Sequence, residues 1–319
     1  MGPIRRTAAL LHRGATTSVA IVILASAGVV GMTPALAAPG RSIAASAASR
    51  ICTSAKRPKL AARISRGITA ALAGRTDSVV GLAAADPAAD LTCRLDQKRH
   101  FYAASVIKVT IISALLLKVH GPSGLTKAQR RLAYLMITQS DNNAATDLWQ
   151  DVGMRDMQRF LNKAGMRHTV LDYAWGLTLI TAQDELTLLH LLTSPGKVLG
   201  KYSRAYVQRL MAQVIPAERW GVPAGAPSDV TVHVKNGWLP YPRADDWNIN
   251  SIGAFTGKHI GYQIVILTAP AAGGQTESYG IATVQAAAEV INRQLAGRRA
   301  AGSAPAALPG PAALAAPGG

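Results

Sequence analysis

Leu60, Ile64, Ile68 and Leu72 recur at steps of four, the spacing that lines one face of a helix with apolar side chains. They predict a helix over about 56–74. Two stretches rich in β-branched residues follow, 77–85 and 91–95, and read as strands. From Ser105 a run with few polar positions predicts a long apolar helix to about 119. Helical patterning then fills about 127–215, with breaks near Gly121, Ser140, Gly165, Trp175 and Pro195. Strands return at 230–234, 248–254 and 262–267, and a last helix spans about 278–295. The order is helix, two strands, an all-helical block, three strands, helix. It predicts a two-lobed α+β fold: one five-stranded antiparallel sheet covered by the terminal helices, with the helical block inserted as a subdomain. A cleft between two such lobes is a common place for a site. The chain carries no internal repeats.

The two ends read differently. Arg5, Arg6 and Arg13 form a positive leading segment, and Val19 to Met32 is an apolar run of about fourteen residues. That is short of the ~20 residues of a membrane span. Ala35-Leu36-Ala37 supplies small residues for a signal peptidase, so residues 1–37 are read as a secretory signal peptide cleaved after Ala37. Residues 38–51 are an Ala/Ser-rich leader, 52–296 the main globular domain, and 297–319 an Ala/Pro/Gly tail expected to be disordered.

Composition sharpens this picture. Hydrophobic residues make up 49% and charged residues 16%, enough to bury a sizeable core. An exported chain meets an oxidising environment, and Cys52 and Cys93 are its two cysteines, so they are expected to pair. The seven His lie singly, without zinc-ligand spacing, and neither a metal nor a cofactor is expected. Lys and Arg number 34 against 17 acids. Without the leading three Arg the surplus is 14, which suits an anionic cell envelope and equally suits the general solubility of a basic exported protein. The basic residues are scattered and no basic run carries interleaved aromatics, which argues against nucleic acid. A monomer is expected. Only four of the acids are Glu: Glu185, Glu218, Glu277 and Glu289.

Candidate chemistry begins at Ser105-Val106-Ile107-Lys108, where the long helix opens. A serine hydroxyl is a weak nucleophile until a base removes its proton. Residues three apart share a helix face, which puts Lys108 within reach of the Ser105 oxygen. A helix N-terminus also favours a developing oxyanion. By itself this four-residue pattern carries little weight. Ser140-Asp141-Asn142 lies 35 residues after Ser105, and Lys235-Asn236-Gly237 follows the run 230–234. Together the three stretches resemble the S-x-x-K, S-D-N and K-T-G motifs of the penicillin-recognising serine enzymes, most of all the class A β-lactamases, over roughly residues 52–296.

The resemblance implies roles. Ser105 is the acylated nucleophile and Lys108 a base for it. Ser140 passes the proton to the leaving nitrogen, and Lys235 holds Ser140 and a substrate carboxylate. Asn142 binds the substrate's side-chain amide. The backbone N–H groups of Ser105 and Trp238 form the oxyanion hole, and Gly237 leaves room for substrate along the strand. The substrate is a β-lactam or a peptidoglycan stem peptide. Arg243 is a candidate second carboxylate ligand in fork geometry, beside the plainer reading of a solvated loop arginine. Trp220, Trp238, Tyr241 and Trp247 are candidates for a cleft wall or for ordinary core.

The chain departs from the resembling family twice. Asn236 stands where the motif has Thr or Ser; an amide donates to a carboxylate as well, with different geometry. The family's loop Glu, which activates the deacylating water, is missing, and its register falls near Trp175. Asp184 and Glu185 follow Thr181 as first-turn helix acids. Asp172 is the remaining candidate base, with a structural turn as the more ordinary reading. Three functions stay open: a β-lactamase with unusual deacylation, a D,D-peptidase-like enzyme, and a non-catalytic binder of penicillins or cell-wall fragments.

Overall fold

The computed structural model describes residues 50–302, apart from 242–245, 259 and 273; the side chains of 297–302 are also left aside. The signal segment, most of the leader, Arg243 and the tail beyond 302 lie outside the described residues.

Six strands, where five were expected, form one antiparallel sheet in the order β1-β3-β2-β8-β7-β6. They are β1 (Cys52–Ser54), β2 (Ser78–Asp86), β3 (Leu91–Leu95), β6 (Thr231–Pro240), β7 (Trp247–Gly257) and β8 (Ile260–Pro270). The unforeseen member is β1, whose three residues are too few to display a period. It pairs with β3 so that Cys52 stands opposite Cys93. Two further strands, β4 (His100–Tyr102) and β5 (Leu179–Thr181), make a small separate ladder.

Along β8, Ile264 to Leu267 are all fully buried, so both faces of the sheet are covered. Helices α1 (Pro58–Leu72) and α8 (Glu277–Gly302) pack together, and α8 lies on β7 and β8. The apolar stripe Leu60, Ile64, Ile68 and Leu72 is what α1 buries. The helical block contributes α2 (Ile107–Lys118), α3 (Lys127–Thr138), α4 (Asn142–Val152), α5 (Met154–Ala164), α6 (Ala182–Thr193) and α7 (Lys201–Ala212). Helix α2 is buried on every side from Ile107 to Leu116, which is why its sequence shows no polar stripe. It packs against α4, α5 and α7. Its one buried charge, Lys108, is therefore out of place unless the site uses it.

Boundaries differ from the sequence reading where edge effects rule. β6 runs on to Pro240, so Lys235-Asn236-Gly237 lies inside a strand rather than after one. Neither Lys, Asn nor Gly favours a strand, and the pairing with β7 overrides that preference. Helix α8 continues through Gly297 to Gly302, past the expected end near 295.

Cys52 and Cys93 are bridged across β1 and β3, with Cα atoms 3.9 Å apart. The sequence separation of 41 makes the closed loop worth roughly 4 kcal/mol in the chain-entropy account. Replacing both cysteines by serine is expected to lower unfolding stability by roughly 3–4 kcal/mol, read from the denaturation midpoint at constant m. An unchanged midpoint would show that the bridge does not constrain the unfolded chain.

Candidate active site

Ser105 sits in a tight 3-10 turn, Ala104–Val106, one step ahead of α2 rather than within its first turn. Ala104 takes a left-handed backbone, φ 47°, which costs a residue with a Cβ of order 1–3 kcal/mol and persists only where neighbours enforce it. The neighbours are on hand. Ala103 N–H donates to Thr178 O at 2.8 Å. Asn250 Nδ2 donates to Tyr102 O (2.7 Å) and Ala103 O (3.2 Å), and Asn248 Nδ2 to Tyr102 O (2.9 Å). Thus β7 grips the chain just before the nucleophile.

The other side of the turn meets β6. A Cβ placed on Gly237 would lie 2.8 Å from the backbone nitrogens of Ser105 and Val106 and 2.9 Å from Ala103 O. No side chain fits there, so glycine is what lets β6 and the Ser105 turn come together. Trp238 follows on the same strand, and β6 ends the sheet order, so among the described residues one of its edges has no strand partner. The Ser105 and Trp238 N–H groups are thus carried by two segments that Gly237 brings into contact.

Ser140-Asp141-Asn142 folds as a helix-to-helix joint. Ser140 is left-handed (φ 55°) just past α3, and the Asp141 carboxylate caps α4 by accepting from Ala144 N–H at 2.7 Å. The joint turns Ser140 and Asn142 towards the lysines. Lys108 Nζ donates to Ser140 O and to Asn142 Oδ1, both at 2.7 Å, and lies 3.3 Å from Ser140 Oγ. Lys235 Nζ donates to Ser140 Oγ at 2.8 Å and to Asn236 O at 2.9 Å. Ser105 Oγ has no hydrogen bond among the described residues, so the expected Ser105–Lys108 bond is absent and Lys108 is held by the Ser140-Asp141-Asn142 stretch instead.

Both lysines are buried, and burial disfavours their charged forms. Burial first, then Lys235, pull the Lys108 amine down to about 6, against smaller support from Glu218 and Asp141. Burial takes Lys235 down to about 8, with Glu218 opposing. At neutral pH Lys108 is then mostly a free amine and Lys235 mostly an ammonium. The two short contacts of Lys108, to the Ser140 carbonyl and Asn142, need only the two hydrogens of a neutral amine, and the third, to Ser140 Oγ, is the longest at 3.3 Å. The Trp175 ring lies 4.9 Å from Lys108 Nζ, a placement that by itself favours the ammonium. Burial in the company of a second lysine is the larger effect, so the neutral form wins.

Trp175 occupies a short turn, Trp175–Leu177, and its indole N–H donates to Thr146 Oγ1 at 3.2 Å. The register read from sequence, which put Trp175 where the family's loop Glu belongs, thus lands beside Lys108. Asp172 is exposed and folds back on its own loop, Oδ1 accepting from Ala174 N–H at 2.8 Å, as the structural-turn reading expects. Thr181 caps α6 by accepting from Asp184 N–H, and the Asp184 carboxylate binds His168 N–H and Thr169 Oγ1. Glu185 is fully buried, and burial and Asp184 push its carboxyl up. His233 is also structural, bonding Gln208 O and Thr256 Oγ1, each at 2.8 Å.

One expected role is corrected. Asn236 does not offer its amide to a substrate carboxylate: both hydrogens are spent, on Glu218 O (2.8 Å) and Trp220 O (3.0 Å), while Oδ1 accepts from Ser251 Oγ (2.6 Å). It ties residues 218–220 to β6 instead. Sequence reading missed Glu218, which acts on both lysines; its scarcity among so few Glu was the one available signal. Of the aromatics, Trp220 and Trp238 meet edge-on at 5.8 Å, and Tyr102 and Tyr241 lie 5.6 Å apart.

A model of the Beta-lactamase enzyme family matches residues 117–295. The chain belongs to that family. It is a serine hydrolase of β-lactamase type, with the penicillin-recognising fold. The matched stretch holds Ser140-Asp141-Asn142 and Lys235-Asn236-Gly237 and starts just after Lys108. No curated protein matches the chain. Among solved structures it is similar to a class A β-lactamase from Bacteroides cellulosilyticus DSM 14838, at TM-score 0.64 and 18% identity over 74% of this chain and 98% of that one. It is also similar to PBP-A (TM-score 0.63, 18% identity, 74% and 96% covered) and to the extended-spectrum β-lactamase TLA-1 (0.62, 16%, 73% and 98%). At such identities these likenesses speak to the fold.

Two outcomes follow from this geometry. Acylation at Ser105, the role the motifs imply, would need Lys108 neutral and Lys235 charged, so its rate should rise as pH passes about 6 and fall as pH passes about 8. Stopped-flow acylation across pH 4–10 checks it, and a rate flat over about pH 5–9 would contradict the assigned protonation states. Gly237→Ala should slow acylation at least ~10²-fold, the scale of a disturbed oxyanion hole. Gly261→Ala, where a Cβ meets nothing within 4 Å, should not.

Proposed function

We propose that this enzyme is exported, is acylated at Ser105 by β-lactams, and releases the acyl group slowly. Neutral Lys108 takes the Ser105 proton as the oxygen bonds to the amide carbonyl carbon and the Ser105 and Trp238 N–H groups receive the oxyanion; as the C–N bond breaks, Ser140 hands its hydroxyl proton to the leaving nitrogen and regains one from Lys108, 3.3 Å away, which returns Lys108 to the free amine. Lys235 stays charged and holds Ser140. The leading Arg5, Arg6 and Arg13, the apolar run and the Ala35-Leu36-Ala37 site support export, as does a disulfide that needs an oxidising compartment.

The observation that carries slow release is the Trp175 ring beside Lys108. Hydrolysis of the ester needs a water held and deprotonated at the acyl carbon. Indole N–H only donates and accepts no proton. A general base contributes ~10²–10⁴-fold, so its loss raises the deacylation barrier by roughly 3–5 kcal/mol. A mutant of PBP-A has been solved as an acyl-enzyme complex with penicillin-G, which supports an acyl-enzyme route on this fold.

The same Trp175 favours a second reading, a D,D-peptidase-like enzyme acting on peptidoglycan stem peptides along the open edge of β6. The complete set Ser105, Lys108, Ser140 and Lys235 speaks against a purely non-catalytic binder.

A fluorescent penicillin should label Ser105 stoichiometrically, the adduct should persist for minutes, and a chromogenic cephalosporin should give a burst of about one equivalent. Lys108→Ala should lower the labelling rate at least ~10²-fold. Sub-second loss of the adduct would defeat slow release, and label on another residue would defeat the site. Faster cleavage of a peptide ending in D-Ala-D-Ala than of the cephalosporin would favour the second reading.

A further inference from the structure

We propose that Glu218 is a positioning residue of this site, a counter-charge for the lysine pair Lys235 and Lys108, carried on a turn that Asn236 ties to β6 and with a shielded carboxylate oxygen that has no hydrogen-bond partner. Neither the three sequence motifs nor the family resemblance assigns this carboxylate a role.

The geometry starts with the hydroxyl of Ser140, which lies 2.8 Å from Lys235 Nζ and 3.3 Å from Lys108 Nζ. Two ammonium groups on one buried oxygen repel each other, so one proton leaves. Which lysine keeps its proton depends on what else each one faces. Lys235 has few anionic supports: Ser140 Oγ and Asn236 O are both uncharged. The carboxylate that bears on it is Glu218, on the segment 215–222 that Asn236 binds.

That segment is fastened on three sides. Ile215 N–H donates to Thr138 O at 3.0 Å, two residues before Ser140. Asn236, the residue after Lys235, donates to Glu218 O and Trp220 O. Val222 N–H donates to Ser251 Oγ at 2.9 Å, which in turn donates to Asn236 Oδ1. The short turn Pro216–Glu218 is therefore tied both to the end of α3, next to Ser140, and to the strand that carries Lys235. Glu218 ends that turn half-buried, and its Oε2 is shielded from solvent with no hydrogen-bond partner. A shielded carboxylate oxygen without a bonded donor is costly unless a nearby cation compensates.

The charged groups acting on Glu218 are Lys235 from β6 and Lys108 from α2. Burial pushes its carboxyl up, and both lysines pull it back towards the anion. Asp141 at the cap of α4 acts on Lys108. Arg219, next in the chain, donates to Ala212 O at the end of α7. For Lys235 burial is the leading influence and Glu218 the one that opposes it. Asn236 thereby gains a purpose in place of substrate binding: it locks the backbone that carries Glu218.

The test compares the full chain with Glu218→Gln and Glu218→Asp, using protein labelled with 13C at lysine Cε. Lys235→Arg and Lys108→Arg assign the two resonances. In Glu218→Gln the titration midpoints of both lysines should move down, Lys235 by about one pH unit or more, as expected on losing a close opposite charge. Glu218→Asp should shift them less. The backbone bonds from Asn236 do not involve the Glu218 side chain, so thermal unfolding should change little; if Glu218→Gln fails to fold, the Glu218→Asp shift decides. Unmoved midpoints would overturn the proposal.

The kinetic arm rests on the acylation of Ser105. There both limbs of the acylation pH profile should move towards acid in Glu218→Gln, whereas a merely structural loss would lower the rate without displacing the profile. Lysine midpoints that move in a protein that penicillin does not label would sink the β-lactam reading and leave the Glu218 coupling standing.

Discussion

Lys108 and Lys235 reach one oxygen, Ser140 Oγ, from helix α2 and strand β6. Water does not screen them, since both are buried. The site cannot hold two full positive charges at that spacing without a large cost, so the pair divides into a base and a cation. Such a division is what acyl transfer requires: one group that accepts a proton at neutral pH, and one that holds charge beside the leaving group. Everything else around the cleft fixes that division in place.

Backbone does most of the fixing. Ala104 and Ser140 are both held left-handed, at φ 47° and 55°, and neither is a glycine. Ala104 adjoins Ser105, and Ser140 is itself the serine that both lysines reach. The sheet supplies the force that holds them: Asn248 and Asn250 on β7 grip the chain before Ser105, and Gly237 on β6 closes against its amide. The fully buried interior of β7 and β8 and the all-round burial of α2 make these points rigid. Position is thus bought with strain at two residues and repaid by the packing of many.

Much of the fold was legible because it rests on local pattern. The step-of-four stripe of α1, the apolar α2 and the β-branched runs each report burial directly, residue by residue. Strand β1 was not legible, since three residues carry no period and its pairing is dictated by the partner β3. The run of β6 through Lys235, Asn236 and Gly237 was hidden as well, because pairing with β7 overrides their poor strand preference. In the site, order and spacing of the three motifs singled out Ser105, Lys108, Ser140 and Lys235, and the fold brings the two lysines onto Ser140 and lays Gly237 against the Ser105 turn. The motifs gave the wrong partner for Asn236, whose amide turns to the backbone of Glu218 and Trp220.

By itself the sequence determined which chemistry-bearing side chains exist and which elements carry them, because hydrophobic period and motif spacing are properties of neighbours along the chain. It also determined that no Glu lies between residues 172 and 184. Only the tertiary structure decided the protonation states of the two lysines, the burial of the Glu218 oxygen and the placing of Trp175 over Lys108. The reason is physical. A charge state depends on desolvation and on Coulomb partners, and two of those that act on Lys108, Lys235 and Glu218, lie more than a hundred positions away in the chain, brought near where β6 packs on the Ala104–Val106 turn.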